Sequence, residues 1–128
     1  MFMFTSGNDK KLKQWNLKRK ELHKDYGQVN DMFTTSALGI SPNQRFVMVG
    51  LNDGSLLQYS IETKSLYKDY GRLHDFTINA MAMGNAGVIL FTGGGEDQLI
   101  QLDLNTEKVV KKYENLHDDW IVSMAMVP

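Results

Sequence analysis

The sequence predicts an all-β chain built from three tandem copies of one unit, each copy a small antiparallel sheet. Three observations predict it. The chain matches itself at an offset of 43–44 residues, apolar residues within each copy recur with period two, and turn-forming residues interrupt these runs at matching places.

At an offset of 44, Asn8-Asp9 falls on Asn52-Asp53, Leu12 on Leu56, Gln14 on Gln58, and Lys24-Asp25-Tyr26-Gly27 on Lys68-Asp69-Tyr70-Gly71. At an offset of 43, Leu56 falls on Leu99, Gln58 on Gln101, Tyr70 on Tyr113, and Leu73-His74-Asp75 on Leu116-His117-Asp118. A fourth copy then begins, because Ile78–Met83 (INAMAM) reappears as Ile121–Met126 (IVSMAM). The copies run roughly 1–31, 32–75 and 76–118, with an extra strand over 119–128, and all lie in one domain, 1–128.

The first copy opens in what the others show to be a second strand, Phe2–Ser6. In the second copy alternation predicts strands near Thr34–Gly39, Phe46–Gly50, Ser55–Ile61 and Ser65–Tyr70. They are separated by Ser41-Pro42-Asn43, Asn52-Asp53-Gly54 and Glu62-Thr63-Lys64, residues that favour turns. The third copy has Val88–Thr92 and Leu99–Leu104 joined by a glycine-rich run, Gly93–Gln98. That run lacks the spacing of a phosphate-binding loop and joins strand to strand, so it reads as a hairpin with positive-φ positions. The closing segment Trp120–Val127 reads as a spare first strand. Four short strands per repeat is the pattern of a propeller blade.

Composition narrows the function. Among 128 residues, 42% are hydrophobic and 23% charged, with a net charge of −1, so bulk electrostatics does not favour nucleic acid. A basic cluster in the first copy (Lys10, Lys11, Lys13, Lys18, Arg19, Lys20, Lys24) reads as a solvated blade edge. No run approaches the roughly 20 apolar residues of a membrane helix. There is no cysteine, which removes disulfides and thiol chemistry and suits a reducing compartment; the expected location is cytoplasmic. His23, His74 and His117 are scattered without metal-ligand spacing, Asn52-Asp53-Gly54 lacks the later ligands of a calcium loop, and no serine has a nucleophile-elbow context. No catalytic residue, metal or cofactor is expected.

The spacing of particular residues resembles the WD-repeat family across essentially the whole chain. Its His position maps to Asn30, His74 and His117, and its Ser/Thr position to Thr5, Val49 and Thr92. Its turn Asp maps to Asp9, Asp53 and Glu96, its Trp to Trp15, Tyr59 and Leu102, and its closing acid to Asn16, Ser60 and Asp103. The resemblance implies a structural hydrogen-bond set drawn from Thr5, Asp9, Trp15, Asp53, Tyr59, His74, Thr92, Glu96 and His117. Val49 lacks the hydroxyl and Leu102 the indole, so the second and third sets are incomplete.

The fold expected is therefore a β-propeller segment of three four-stranded antiparallel blades in circularly permuted register. Two blades are whole, and the third is divided between the two ends of the chain. Closed propellers typically have about four to eight blades. Either two copies join head to tail as a six-bladed homodimer, or the chain is part of a longer propeller. The resemblance implies a non-catalytic protein–protein interaction scaffold; the alternatives are a fragment of a larger WD-repeat protein and a propeller enzyme or sugar-binding module. The loops expected to meet a protein or peptide partner are Gln28–Asp31, Arg72–Phe76 and Asn115–Asp119, together with Asn8–Lys10, Asn52–Gly54 and Gly94–Gln98. Trp120, Asp119, Arg72 and Asp75 are the contact candidates, Trp120 first because tryptophan is enriched at binding hot spots.

Overall fold

The computed structural model describes residues 1–84, 88–95 and 97–127. Among them the regular structure is all strand, arranged as three antiparallel meanders. The first sheet contains β1 (Phe2–Ser6), β2 (Lys11–Asn16) and β3 (Glu21–Gln28). The second contains β4 (Thr35–Ile40), β5 (Phe46–Leu51), β6 (Ser55–Ser60) and β7 (Ser65–Arg72). The third contains β8 (Ile78–Gly84), β9 (Ile89–Gly94), β10 (Leu99–Asp103) and β11 (Lys108–Tyr113). Strands follow one another in space as in sequence, so each sheet is one blade.

The repeated residues explain the repeated geometry. The hairpins joining the last two strands of each blade pass through Lys20, Lys64 and Glu107, with φ of 58°, 56° and 60°. A side chain four positions before that residue caps each turn: Asn16 Oδ1 accepts from Arg19 N–H at 3.0 Å, Ser60 Oγ from Thr63 N–H at 3.2 Å, and Asp103 Oδ1 from Asn105 N–H at 2.8 Å. The KDYG repeat makes a β-bulge inside β3 and β7, held by the same kind of side-chain cap. Asp25 and Asp69 accept from the amides of Gly27 and Gly71, both at 2.8 Å, and those glycines hold φ of 77° and 70°.

Blades pack through their flat faces. Leu12, Val47, Val49, Leu51, Leu57 and Tyr59 fill the space between the first and second, with Tyr26 edge-on to Tyr59 at a centroid distance of 5.9 Å. Met48, Leu56, Ile78, Leu90 and Leu102 do the same between the second and third. Close approach there needs glycine: a Cβ on Gly50 would stand 2.9 Å from Ile78 Cγ2. Lys68 and Glu107 add an ion pair of 3.0 Å between the same two blades.

The segment Trp120–Val127, expected as a strand, forms no ladder in the structure. A strand is stabilised by a ladder of hydrogen bonds to a neighbour, and no described strand pairs with it in that way. It is nevertheless seated against the third blade, where Ile121 N–H donates to Gly94 O at 3.2 Å and Asn79 Nδ2 donates to Ile121 O at 3.0 Å.

Candidate interaction surface

Among the described residues, two hydrogen bonds join members of the expected polar set. In the first blade the Trp15 indole N–H donates from β2 to Thr5 Oγ1 on β1 at 2.8 Å. In the third, His74 Nε2, from the loop entering β8, is hydrogen-bonded at 2.8 Å to Thr92 Oγ1 on β9, and both residues are buried. Burial explains this pairing, because a polar ring nitrogen taken from water needs a partner.

Asp9, Asp53 and Tyr59 are engaged elsewhere. Asp9 accepts from Lys11 N–H at 3.1 Å, and Asp53 accepts from the amide and hydroxyl of Ser55 at 2.9 and 2.8 Å. Both carboxylates thus close their own turns, where backbone donors are nearer than any ring. Tyr59 stands in the His/Trp-type set only by position; its ring belongs to the apolar packing between blades. Asn30, in the histidine position of the second blade, faces no hydroxyl because Val49 takes that place; its Oδ1 caps Met32 and Phe33 N–H instead, at 2.7 and 3.0 Å. Glu96 lies outside the described residues. His117 is exposed. By repeat position its blade partners are Thr5, Asp9 and Trp15, at the other end of the chain.

The loops of one rim form a continuous, tied surface. Arg72 Nε donates to Asp53 O at 3.0 Å and its Nη2 to Asp75 O at 2.7 Å, while Thr77 Oγ1 donates to Asn52 O at 3.0 Å. The amides of Leu73 and His74 both donate to Gly54 O, at 2.9 and 3.2 Å. The first blade repeats the arrangement, with Lys10 Nζ donating to Asp31 O at 2.8 Å and Gln28 Nε2 to Asp9 O at 3.3 Å. Arg72, expected as a partner contact, therefore has its guanidinium engaged in holding its own rim. Asp119 Oδ1 accepts from Trp120 N–H at 2.7 Å, fixing the approach to the last segment.

On this tied rim three large apolar side chains stand in water: Met32 is 75% exposed, Phe76 55% and Trp120 60%. Met32 and Phe76 occupy equivalent repeat positions, 44 residues apart, and Trp120 sits in the corresponding segment after β11. The sequence singled out Trp120 by residue type and Phe76 by its loop, Arg72–Phe76. Met32 became visible once the loops were placed on one face.

Among the described residues no three His, Asp or Glu side chains gather in a way that could hold a metal. A cavity of about 360 Å³ between the first two blades is lined by Met1, Phe2, Phe4, Gln14, Ile40, Gln44 and Ile61, none of which has an ionisable side chain. Burial raises the hydroxyl pKa of Tyr26, Tyr59 and Tyr70 above the ordinary tyrosine value, which keeps these groups neutral donors.

Three antiparallel meanders packed face to face define the class: a segment of a β-propeller. Two solved structures carry the same arrangement. One, from the mitotic checkpoint complex, matches with a TM-score of 0.85 and 13% identity over 97% of this chain and 36% of its own. The other, U3-55K, matches with a TM-score of 0.87 and 10% identity over 97% of this chain and 38% of its own. Both are WD40 propeller proteins, and at these identities the likeness is one of fold. The chain spans little more than a third of the length of either. No family model matches the sequence, and no curated protein matches it.

Proposed function

We propose that this chain is a non-catalytic scaffold that binds other proteins through the rim bearing Met32, Phe76 and Trp120. The observation that carries this reading is the exposure of these three side chains on loops held by Arg72, Thr77 and Lys10. Apolar side chains on pre-ordered loops favour association, because burying them releases water while little chain entropy remains to be lost. Asp119 and Asp75 lie beside them and suit the polar border of such a contact. The propeller neighbours include a component of a protein complex, which agrees with this role.

The test is affinity capture with the 128-residue chain as bait. Met32→Ala with Phe76→Ala, and separately Trp120→Ala, are compared with Glu62→Ala on the opposite rim. Loss of specific partners with the first two baits and retention with the third is the expected result. Identical capture by all baits, with folding shown to be unchanged by circular dichroism, would reject the proposal.

A further inference from the structure

We propose that the space between the first and second blades binds a small carboxylate with an apolar body, the body against Phe2, Phe4, Ile40 and Ile61 and the carboxylate between Lys24 and Lys64.

The cavity there holds about 360 Å³, within the roughly 300–1,000 Å³ that small ligands occupy. Its walls are largely apolar, and one buried polar side chain lines it. Gln14 is 2% exposed, and its Oε1 accepts from the Tyr26 hydroxyl at 2.9 Å. Its Nε2 forms no hydrogen bond among the described residues. A ligand oxygen placed beside it gains a bond shielded from water, so an oxygen-bearing ligand is favoured over a hydrocarbon. Ile40 ends β4, whereas Met32 precedes its start, so this site lies at the opposite end of the blade from the interaction rim.

The gap between the second and third blades shows what the first gap lacks. A cavity there is lined by Phe46, Gln58 and Leu104, the repeat counterparts of Phe2, Gln14 and Ile61, and it also touches Glu107. Glu107 Oε2 meets Lys68 Nζ at 3.0 Å. The counterparts of Lys68 and Glu107 in the first gap are Lys24 and Lys64. Their backbones are equivalently placed. Lys24 pairs with Gln14 as Lys68 pairs with Gln58, and Lys64 holds φ of 56° before β7 as Glu107 holds 60° before β11.

The first gap thus sets two cations where the second sets an ion pair. Neither Lys24 nor Lys64 has an ion-pair partner among the described residues, and Asp25, beside Lys24 in sequence, caps the amide of Gly27. Two like charges repel, and a carboxylate between them turns that repulsion into two attractions. A ligand carboxylate would stand where the Glu107 carboxylate stands in the second gap. None of the residues lining the first cavity is acidic, so none competes for the lysines.

The experiment is calorimetric titration of the 128-residue chain with hydrocinnamate, with its neutral amide, and with acetate. Hydrocinnamate is expected to bind, the amide to bind about tenfold more weakly or less, and acetate, which has the charge without the body, more weakly still. Lys64→Glu installs the acid of the second gap and is expected to abolish hydrocinnamate binding. Lys112→Glu, the same charge change on the third blade, should leave it unaltered. Lys24→Gln, which removes one charge and adds no acid, should weaken it about tenfold. Urea midpoints no lower than that of the parent chain show that these losses are not losses of fold. Equal affinity for the acid and its amide, unchanged binding by Lys64→Glu, or no binding of hydrocinnamate up to about 10 mM, a free energy near 3 kcal/mol, overturns the proposal. The outcome is independent of the interaction rim, since Met32→Ala with Phe76→Ala should leave hydrocinnamate binding intact.

Discussion

The Tyr70 hydroxyl donates to Gln58 Oε1 at 2.8 Å, tying the outermost strand of the second blade to its neighbour. The same bond recurs as Tyr26–Gln14 at 2.9 Å and Tyr113–Gln101 at 2.9 Å, so each blade carries one. Gln14 and Gln58 are buried, and a buried amide oxygen without a donor would cost more than the bond itself is worth.

Tyr70→Phe is therefore expected to destabilise the fold by about 1–3 kcal/mol, measured by urea unfolding, because it strands the Gln58 carbonyl. Tyr113→Phe should cost less, since Gln101 is only half-buried and water can replace the hydroxyl. Equal losses from the two variants would show that burial is not the cause.

Gly54 and Gly71 both hold positive φ, at 92° and 70°, but their surroundings differ. A Cβ on Gly54 would overlap His74 O and Phe76 O, whereas one on Gly71 would meet nothing within 4 Å. Gly71→Ala is expected to cost about 1–2 kcal/mol, the strain of a left-handed alanine. Gly54→Ala is expected to cost on the order of 3 kcal/mol or more and to loosen the rim that presents Phe76. Thermal melts of the two variants would separate strain from overlap; similar midpoints would contradict this account.

Burial raises the pKa of Tyr26, Tyr59 and Tyr70 in the folded chain, with Asp69 adding to the effect at Tyr59 and Glu107 and Tyr67 at Tyr70. The folded state thus holds these protons more tightly than the unfolded one. Their contribution to stability is complete below the unfolded value near 10 and is lost as pH rises through the folded values. Stability is expected to fall above about pH 10, and Tyr59→Phe should flatten that fall. Unfolding midpoints followed from neutral to alkaline pH, with tyrosinate absorbance as the second readout, check both points.

The sequence by itself determined the blade. Period-two alternation and the repeated KDYG and Asn-Asp segments placed the second-copy strands within about two residues of their observed bounds, because alternation and turn chemistry act over short stretches of chain. The recurrence of Gln14, Gln58 and Gln101 with Tyr26, Tyr70 and Tyr113 was visible too, but that they bond each other depends on β-bulge register, which spacing does not show. Only the tertiary structure decided where the polar groups went. Asp9 and Asp53 turned to their own loops and Arg72 to the rim backbone. Such choices follow from which donor stands nearest once the sheets have packed. The seating of Ile121 against Gly93 was decided the same way, by the face that one blade offers to the next.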